Sequence, residues 1–500
     1  MALSMLSYRD KLNVGRGQLY IDGEWRDSSD GRIWEHVSPV TNEVITELAI
    51  GSEEDVDLAV KAARRAFDEG PWPRAKAKER RVAIQRLAEL VAAHGDELNQ
   101  LQTLENGMPV SFSSYYAVSS EIAADIFDHH AGWVDKIKGE TLPTYTGNDM
   151  QVLTLREPVG VVAAIIPWNA PLMLLAQKVA PALAAGCTVV LKPSELASLS
   201  SVRFASLVAE AGIPEGVFNL VPGPGTPTGE ALITHPLVDK VTFTGSRLVG
   251  ERILQASGKG LKRVSLELGG KSPSIFFADV DSLDLAGMVA MGMVTIGLSG
   301  QGCACQTRAL VERSIYDEFV EKAASMASMA TYGDPFDPSV TSAPLVSARQ
   351  VEKVMGFIEA GVEQGAHLVC GGDRPGGDLA LGNYVNPTLF ADVDNSMSVA
   401  QEEIFGPVLA AIPFADEDDA IKIANDTDYG LAAGVYTNNG ARAWRVARAL
   451  RAGTVGINDY AIMPNAPFGG YKQSGVGREG GSAGIEAFTE IKTVMMGLSG

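Results

Sequence analysis

Cysteine is scarce in this sequence. Four residues in 500 cannot build a disulfide framework, and Cys303 and Cys305 stand too close together for an ordinary bridge. Reduced thiols are therefore expected, which implies a cytoplasmic setting. The six histidines show no spacing that would pair them with the cysteines as ligands, so no metal site is expected. Positive charge is also in deficit. With 41 basic against 61 acidic residues and a net charge of −20, the chain lacks the footprint that phosphate backbones and anionic lipid surfaces demand, which excludes nucleic acid and membranes as expected partners. Long apolar runs are missing too. The nearest, Val159 to Leu191, is cut by Pro167, Pro171 and Pro181 into pieces shorter than the roughly 20 residues a membrane helix needs. The stretch Met1 to Gly17 carries Arg9, Asp10, Lys11 and Arg16 without an apolar core and cleavage site, so no secretory signal is expected.

What remains is an ordinary globular composition, 46% apolar and 20% charged, in a chain long enough for two to four domains. Short β-branched runs alternate with helical stretches. Val159 to Ile166 reads as a strand, Leu172 to Ala185 as a helix, and Cys187 to Leu191 as a strand. Ser198 to Ala211 then reads as a helix, Val217 to Val221 and Lys240 to Thr244 as strands, and Arg247 to Ala256 as a helix. Repeated βαβ units of this kind predict a mostly parallel sheet covered on both faces. A second series begins with a strand at Ser274 to Phe277 and a helix around Asp284 to Ile296, whose Met288, Met291 and Met293 read as core filling. It continues with an amphipathic helix opened by Ser314 with Asp317 three residues on. The fold class is therefore α/β, with two lobes. The Gly/Pro-rich segments Gly223 to Gly229, Gly371 to Gly377 and Ala466 to Gly481 read as loops.

Several turns carry groups suited to chemistry. Strand Lys240 to Thr244 runs through Gly245-Ser246 into a helix, which offers backbone N–H groups to an anion. Its spacing, G-x-x-x-x-G, matches neither a nucleotide-triphosphate loop, since Glu251 and Arg252 occupy the Lys-Ser/Thr places, nor the G-x-G-x-x-G of ordinary dinucleotide folds. Leu191-Lys192-Pro193-Ser194-Glu195 ends another strand, where a carboxylate can accept from ribose hydroxyls or simply be solvated at a helix start. Cys303, in Gly300-Gln301-Gly302-Cys303, is a thiol in a Gly-flanked turn, a nucleophile that a substrate can approach closely. Cys187 and Cys370 read as inert. Glu267, between apolar neighbours at a strand end, sits where desolvation raises a carboxylate toward the range of a general base. Asn169, in Pro167-Trp168-Asn169, offers an amide to an oxyanion.

Together with Phe243-Thr244-Gly245-Ser246, Leu266 to Lys271, Glu402 to Pro407 and Pro467-Phe468-Gly469-Gly470, these motifs stand in an order and separation that resembles the NAD(P)-dependent aldehyde dehydrogenase superfamily over nearly the whole chain. The resemblance implies a Rossmann-type cofactor domain (1–134 and 151–266), an α/β catalytic domain (267–466) and a small β oligomerisation element (135–150 and 482–500). Phe488 to Val494 would be a strand completing a neighbouring subunit's sheet, in a homo-oligomer that is a dimer or a dimer of dimers (a homotetramer). It also implies a small-molecule aldehyde substrate. By matching position, Cys303 is the nucleophile, Asn169 and the Cys303 N–H hold the oxyanion, Glu267 activates water, and Lys178 and Glu479 relay protons. The cofactor would contact Ile166, Pro167, Trp168, Lys192, Ser194, Glu195, Gly225, Gly229, Phe243, Thr244, Gly245, Ser246, Val249, Leu268, Gly269, Gln350, Lys353, Glu403 and Phe405. A carboxylate at Glu195 repels a 2′-phosphate and favours NAD over NADP, with Arg247 as the neighbouring cation that would favour NADP.

The departures bear on substrate. Ala170, Gln177, Ile296 or Gly297, Leu298 and Ile462 stand where the family often carries aromatics or a Phe-Asn pair, so a tunnel bounded by Ala170, Gln177, Ile296, Gly302, Ile462 and Phe468 is expected to be wide and to suit a bulky aromatic or terpenoid aldehyde. The rival reading, a coenzyme A-acylating semialdehyde dehydrogenase, does not need the water-activating Glu267. A cysteine hydrolase would need a histidine beside the thiol, and the motifs contain none. Intact Cys303, Glu267 and Asn169 argue against a silent binding protein.

Overall fold

A computed structural model of the chain describes residues 4–145 and 149–498. Residues 146–148 of the expected oligomerisation hairpin and 499–500 of its last strand lie outside the described residues.

The βαβ units build an eight-stranded sheet in the order Gly475–Val476, Arg263–Glu267, Lys240–Thr244, Val161–Ile165, Thr188–Lys192, Phe218–Leu220, Leu19–Ile21, Glu24–Arg26. Its five central strands are parallel. The chain winds from Val161–Ile165 outward through Thr188–Lys192 and Phe218–Leu220, then returns to place Lys240–Thr244 on the other side. Strand order therefore reverses between Val161–Ile165 and Lys240–Thr244, and the carboxyl ends of those two strands diverge into a crevice. Between the first two central strands lies the helix Pro171–Ala185, every residue of which is buried. Pro171 occupies its first turn, where a missing N–H costs nothing, and Pro181 is accommodated inside the helix.

A second sheet runs His367–Cys370, Thr388–Ala391, Val408–Phe414, Arg308–Glu312, Pro273–Phe276, Ala432–Tyr436, Thr454–Ile457, parallel except at its first strand. A third, antiparallel sheet pairs Thr489–Gly497 with Met150–Pro158 along their whole length and adds Thr141–Leu142. Met150–Pro158 thus belongs with the small sheet, past the boundary expected at 150, because its pairing partner is the C-terminal strand and not the cofactor sheet. Among the described residues no helix is long and apolar enough to cross a membrane.

Three local expectations change. The helix expected from Ser314 begins at Tyr316 after a 3-10 turn, and Ser314 Oγ turns back to Glu312 (3.4 Å) instead of capping Asp317. Of the three methionines, Met291 is buried and Met288 is exposed, since they fall on different faces of helix Leu283–Thr295. The segment Ala466 to Gly481 is more than a loop: Gly475–Val476 adds antiparallel to Arg263–Glu267, closing that edge of the cofactor sheet.

Candidate active site

The crevice at the strand-order reversal opens into two adjoining cavities. One, of about 260 Å³, is walled by Ile165, Ile166, Ile233, Phe243, Val249 and Ile253 and floored by Pro167, Lys192, Gly225, Gly229, Thr244 and Gly245, with Thr226, Glu230 and Arg252 also on its rim. The other, of about 180 Å³, shares Pro167, Thr244 and Gly245 and continues past Trp168, Asn169, Ser246, Leu268 and Gly269 to Cys303, Gln350, Lys353, Glu403 and Phe405. The expected cofactor residues line one or both, except Ser194 and Glu195. Ser194 is instead engaged in the following turn, its Oγ accepting from Leu196 N (3.3 Å) and its carbonyl from Ser198 Oγ (2.7 Å). The lining residues absent from the expected set are Ile165, at a strand end, and Thr226, Glu230, Ile233, Arg252 and Ile253, from the Gly/Pro loop and helices Glu230–Thr234 and Arg247–Gly258. Their signal was the bare proximity of Gly225 and Gly229.

Lys192 is buried, and its ammonium donates to the carbonyls of Pro193 (2.9 Å) and Gly223. Burial pulls its pKa down to about 8. Ser246 precedes helix Arg247–Gly258 without its side chain capping that helix, so the first-turn N–H groups are left to another acceptor. Thr244 Oγ1, buried beside them, has no hydrogen-bond partner among the described residues. Arg247, the neighbouring cation, is committed to Gln473, Asp428 and Glu251. This donor set fits a dinucleotide: a helix N-terminus for the pyrophosphate, apolar walls for the adenine, and a buried carboxylate, Glu403, at the far end.

The far end is built by main-chain constraints. The Glu403 carboxylate lies directly over Gly269, 2.2 Å from where a Cβ would stand, so a side chain at 269 would displace it. Glu403 accepts from Gly270 N (3.2 Å), while Lys353 donates to the Glu403 carbonyl (3.0 Å) and Gln350 to the Ile404 and Phe405 carbonyls (3.1 and 2.8 Å). Gln350 and Lys353 therefore fix the loop that carries Glu403 and Phe405. Phe405 meets Trp168 edge-on, ring centroids 5.5 Å apart.

Cys303 lies on the loop entering strand Arg308–Glu312. Gly300 holds a positive φ of +73°, and a Cβ there would strike the Gly406 carbonyl at 2.1 Å, so only glycine permits this approach. Gln301, quoted in the motif without a role, pins the loop. Its amide donates to Leu298 and Pro344 carbonyls (2.9 and 3.0 Å) and accepts from Val346 N (3.0 Å), while its own carbonyl accepts from Asn169 Nδ2 (2.9 Å). Asn169 thus spends one N–H on the nucleophile loop and keeps the other for the cavity that it shares with Cys303. Burial, with Glu403 and Glu267 nearby, pushes the Cys303 thiol up to about 12; the Ala304 N–H works in the opposite direction.

Glu267, 3% exposed, ends strand Arg263–Glu267 behind the thiol. Burial and the neighbouring Glu479 raise its pKa well above the carboxylate range, against the pull of Lys178, Arg478 and the Gly470 N–H. Lys178 and Glu479 form a buried ion pair, and Thr242 Oγ1 donates to the same Glu479 oxygen (3.4 Å). Glu479 is held by reciprocal main-chain bonds with Phe468 (2.7 and 2.8 Å).

Of the expected tunnel residues, Ala170 opens the buried helix and Gln177 lies two turns on within it. Ile462 packs with Leu298, Phe112 and Tyr116 against the core that includes Ala170 and Met173. Gly302 lies beside Cys305, and Phe468 is buried next to Glu479 by its main-chain bonds. Ile296 is 44% exposed at the end of its helix, and the ring of Phe112 lies against Gly297, 2.5 Å from where a Cβ would stand.

Residues 25–494 match the profile of the aldehyde dehydrogenase family. An aldehyde dehydrogenase of Enchytraeus buchholzi is 47% identical over 486 residues, covering 97% of this chain and 96% of that one. A mitochondrial benzaldehyde dehydrogenase of Antirrhinum majus is 44% identical over 489 residues, covering 97% and 90%. A P. syringae indole-3-acetaldehyde dehydrogenase, solved as a cysteine-to-alanine mutant with NAD+ and IAA, superposes with a TM-score of 0.94 at 40% identity, covering 99% of this chain and 100% of that one.

Proposed function

The chain belongs to the aldehyde dehydrogenase family, and from that premise we propose that it oxidises a bulky, hydrophobic aldehyde to the carboxylate with NAD, through a thiohemiacetal and a thioester on Cys303. The observation that carries this reading is a single one: Cys303 and Asn169 line the same cavity as Gly245, Ser246 and Glu403, with Glu267 buried behind the sulfur.

Lys192 would hold the cofactor's adenosine ribose, the N–H groups after Gly245 its pyrophosphate, Glu403 its nicotinamide ribose, and Phe405 with Trp168 the ring. When bound, NAD would supply the acceptor for the hydride that leaves the thiohemiacetal carbon as its C–H bond breaks and the thioester forms. Burial pushes the Cys303 thiol up to about 12, so the sulfur sheds its proton to water in the cavity as it attacks, and Glu267 stays unprotonated for the second half of the reaction. The sulfur adds to the aldehyde carbon, and the new alkoxide accepts the free Asn169 N–H. Glu267 next takes a proton from water, whose oxygen bonds to the acyl carbon as the C–S bond breaks. Asn169→Ala should lower kcat by about 10²–10³-fold with little change in the Kd for NAD, measured by steady-state kinetics and cofactor fluorescence titration.

The substrate class rests on the small or aliphatic residues at the expected tunnel positions, Ala170, Leu298 and Ile462, which lie in or pack against one hydrophobic cluster together with Met173, Phe112 and Tyr116. Relatives named for benzaldehyde and indole-3-acetaldehyde point the same way. Benzaldehyde-like and C10 aldehydes should exceed acetaldehyde in kcat/KM by at least about tenfold. A panel followed by NADH absorbance tests this, and a preference for acetaldehyde would refute it. The exposed outer edge of Thr489–Gly497, with Ile491, Met495 and Met496 facing solvent, supports a homo-oligomer joined by strand addition.

A further inference from the structure

Each turnover converts RCHO, NAD+ and H2O to RCOO−, NADH and two H+. On the catalytic reading above, one proton reaches Glu267 from the attacking water and must leave a site that substrate and cofactor close from both sides. Glu267, Lys178 and Glu479 are themselves buried, so the ion pair alone does not reach solvent.

The ladder of the two neighbouring strands supplies what the pair lacks. Lys240, Thr242 and Thr244 alternate onto one face, and their register partners Arg263, Ser265 and Glu267 stand beside them on that face. The opposite face, Val241, Phe243, Val264 and Leu266, packs into apolar core. A polar row therefore crosses the sheet from Glu267 at its carboxyl end to Arg263 at its amino end. Thr242 donates to Glu479 (3.4 Å), and Lys240 donates to Ser265 Oγ (2.7 Å). Arg263, last in the row, is exposed and paired with Glu490 (2.6 and 2.9 Å). Lys240 is 2% exposed, yet it forms no ion pair among the described residues; its ammonium donates to Ser265 and lies 4.9 Å from the Phe488 ring. Burying a lysine without an ion pair is costly.

We propose that Thr242, Ser265 and Lys240 conduct the deacylation proton from Glu479 to solvent at Arg263 and Glu490. The proton on Glu267 passes to Glu479, the Thr242 and Ser265 hydroxyls each accept one proton and give up another, and Lys240, in its neutral amine form, accepts it from Ser265 to become the ammonium and then releases it to water beside Arg263. No electrons move in these steps. Glu479, Lys178, Arg263 and Cys187 face Lys240, and burial brings its pKa down to about 8, where it takes up and loses protons near neutrality.

The test uses the full-length enzyme with Thr242→Val, Thr242→Ser, Lys240→Met and Glu267→Gln. Stopped flow follows NADH absorbance and, with a pH indicator in weak buffer, proton release. Thr242→Val should keep the first-turnover NADH burst, lower kcat about tenfold, delay proton release behind NADH and enlarge the solvent isotope effect on kcat. Thr242→Ser should restore all three, and Lys240→Met should shift the pH dependence of kcat. Wild-type proton release and isotope effect in Thr242→Val would overturn the proposal, as would a fall in kcat with an unchanged isotope effect and no rescue by Ser. Because Val is nearly isosteric with Thr, the test does not depend on the Lys240 variant folding. If Glu267→Gln fails to arrest after one NADH per site, the catalytic reading falls instead.

Discussion

Cys303→Ala should abolish NADH formation with every aldehyde tested, a fall on the order of 10⁶ in kcat, as when a nucleophile is removed from other covalent enzymes. The variant should still bind NAD, because Cys303 touches the cavity at one point while Lys192, Gly245 and Glu403 line it elsewhere. The fold should also persist: the loop is pinned by Gln301 and shaped by Gly300, and neither contact uses the sulfur. Loss of turnover with retained NAD affinity and an unchanged Tm isolates the chemical step. Residual turnover within a hundredfold of wild type would show that the thiol is not the nucleophile.

Glu267→Gln should separate the two halves of the reaction. Acylation needs the sulfur and the cofactor, so mixing with aldehyde should give a burst of about one NADH per site. Deacylation needs the carboxylate, so turnover should then slow by about 10²–10⁴-fold, the usual worth of a general base. Steady NADH formation without a burst, at wild-type rate, would remove Glu267 from the mechanism. The wild-type pH profile follows from the same residue. A base works when deprotonated, and burial beside Glu479 raises the pKa of Glu267, so kcat should fall as pH drops through that raised value and recover as pH rises. The raised Cys303 thiol adds to the same slope, since thiolate also grows with pH. In Glu267→Gln the carboxylate contribution to the profile should vanish.

The parallel core was legible because its strands are short β-branched runs bounded by turn residues. Lys240–Thr244 was found to the residue, and its neighbours to within one or two. Glu267 and Asn169 were legible from local chemistry, a carboxylate and an amide at strand ends. Other features depend on partners far away in sequence. Gly475–Val476 joins the cofactor sheet through main-chain bonds that need no side-chain pattern. Phe112 fills the space beside Gly297 across more than 180 residues, and no spacing rule selects that ring. Glu195 follows a strand end, and position along a strand does not by itself say where the following turn aims a side chain. The resemblance supplied Lys178 and Glu479, which nothing in their immediate neighbours distinguishes from surface charges.

The Lys178–Glu479 pair spans 301 residues, and Gly475–Val476 closes its sheet edge only after nearly all of the chain exists. A ribosome adding 5–20 residues per second needs roughly 15–60 s to travel that distance. Cys303 precedes Glu479 by 176 residues, so for roughly 9–35 s of that interval the nascent chain carries the thiol with neither Glu479 nor the last strand of its cofactor sheet. Competence therefore arrives in one late event, when the C-terminal segment docks. A half-made polypeptide cannot accumulate as a dead thioester on aldehydes in its surroundings, because the assembly that makes the sulfur dangerous is the one that lets it turn over.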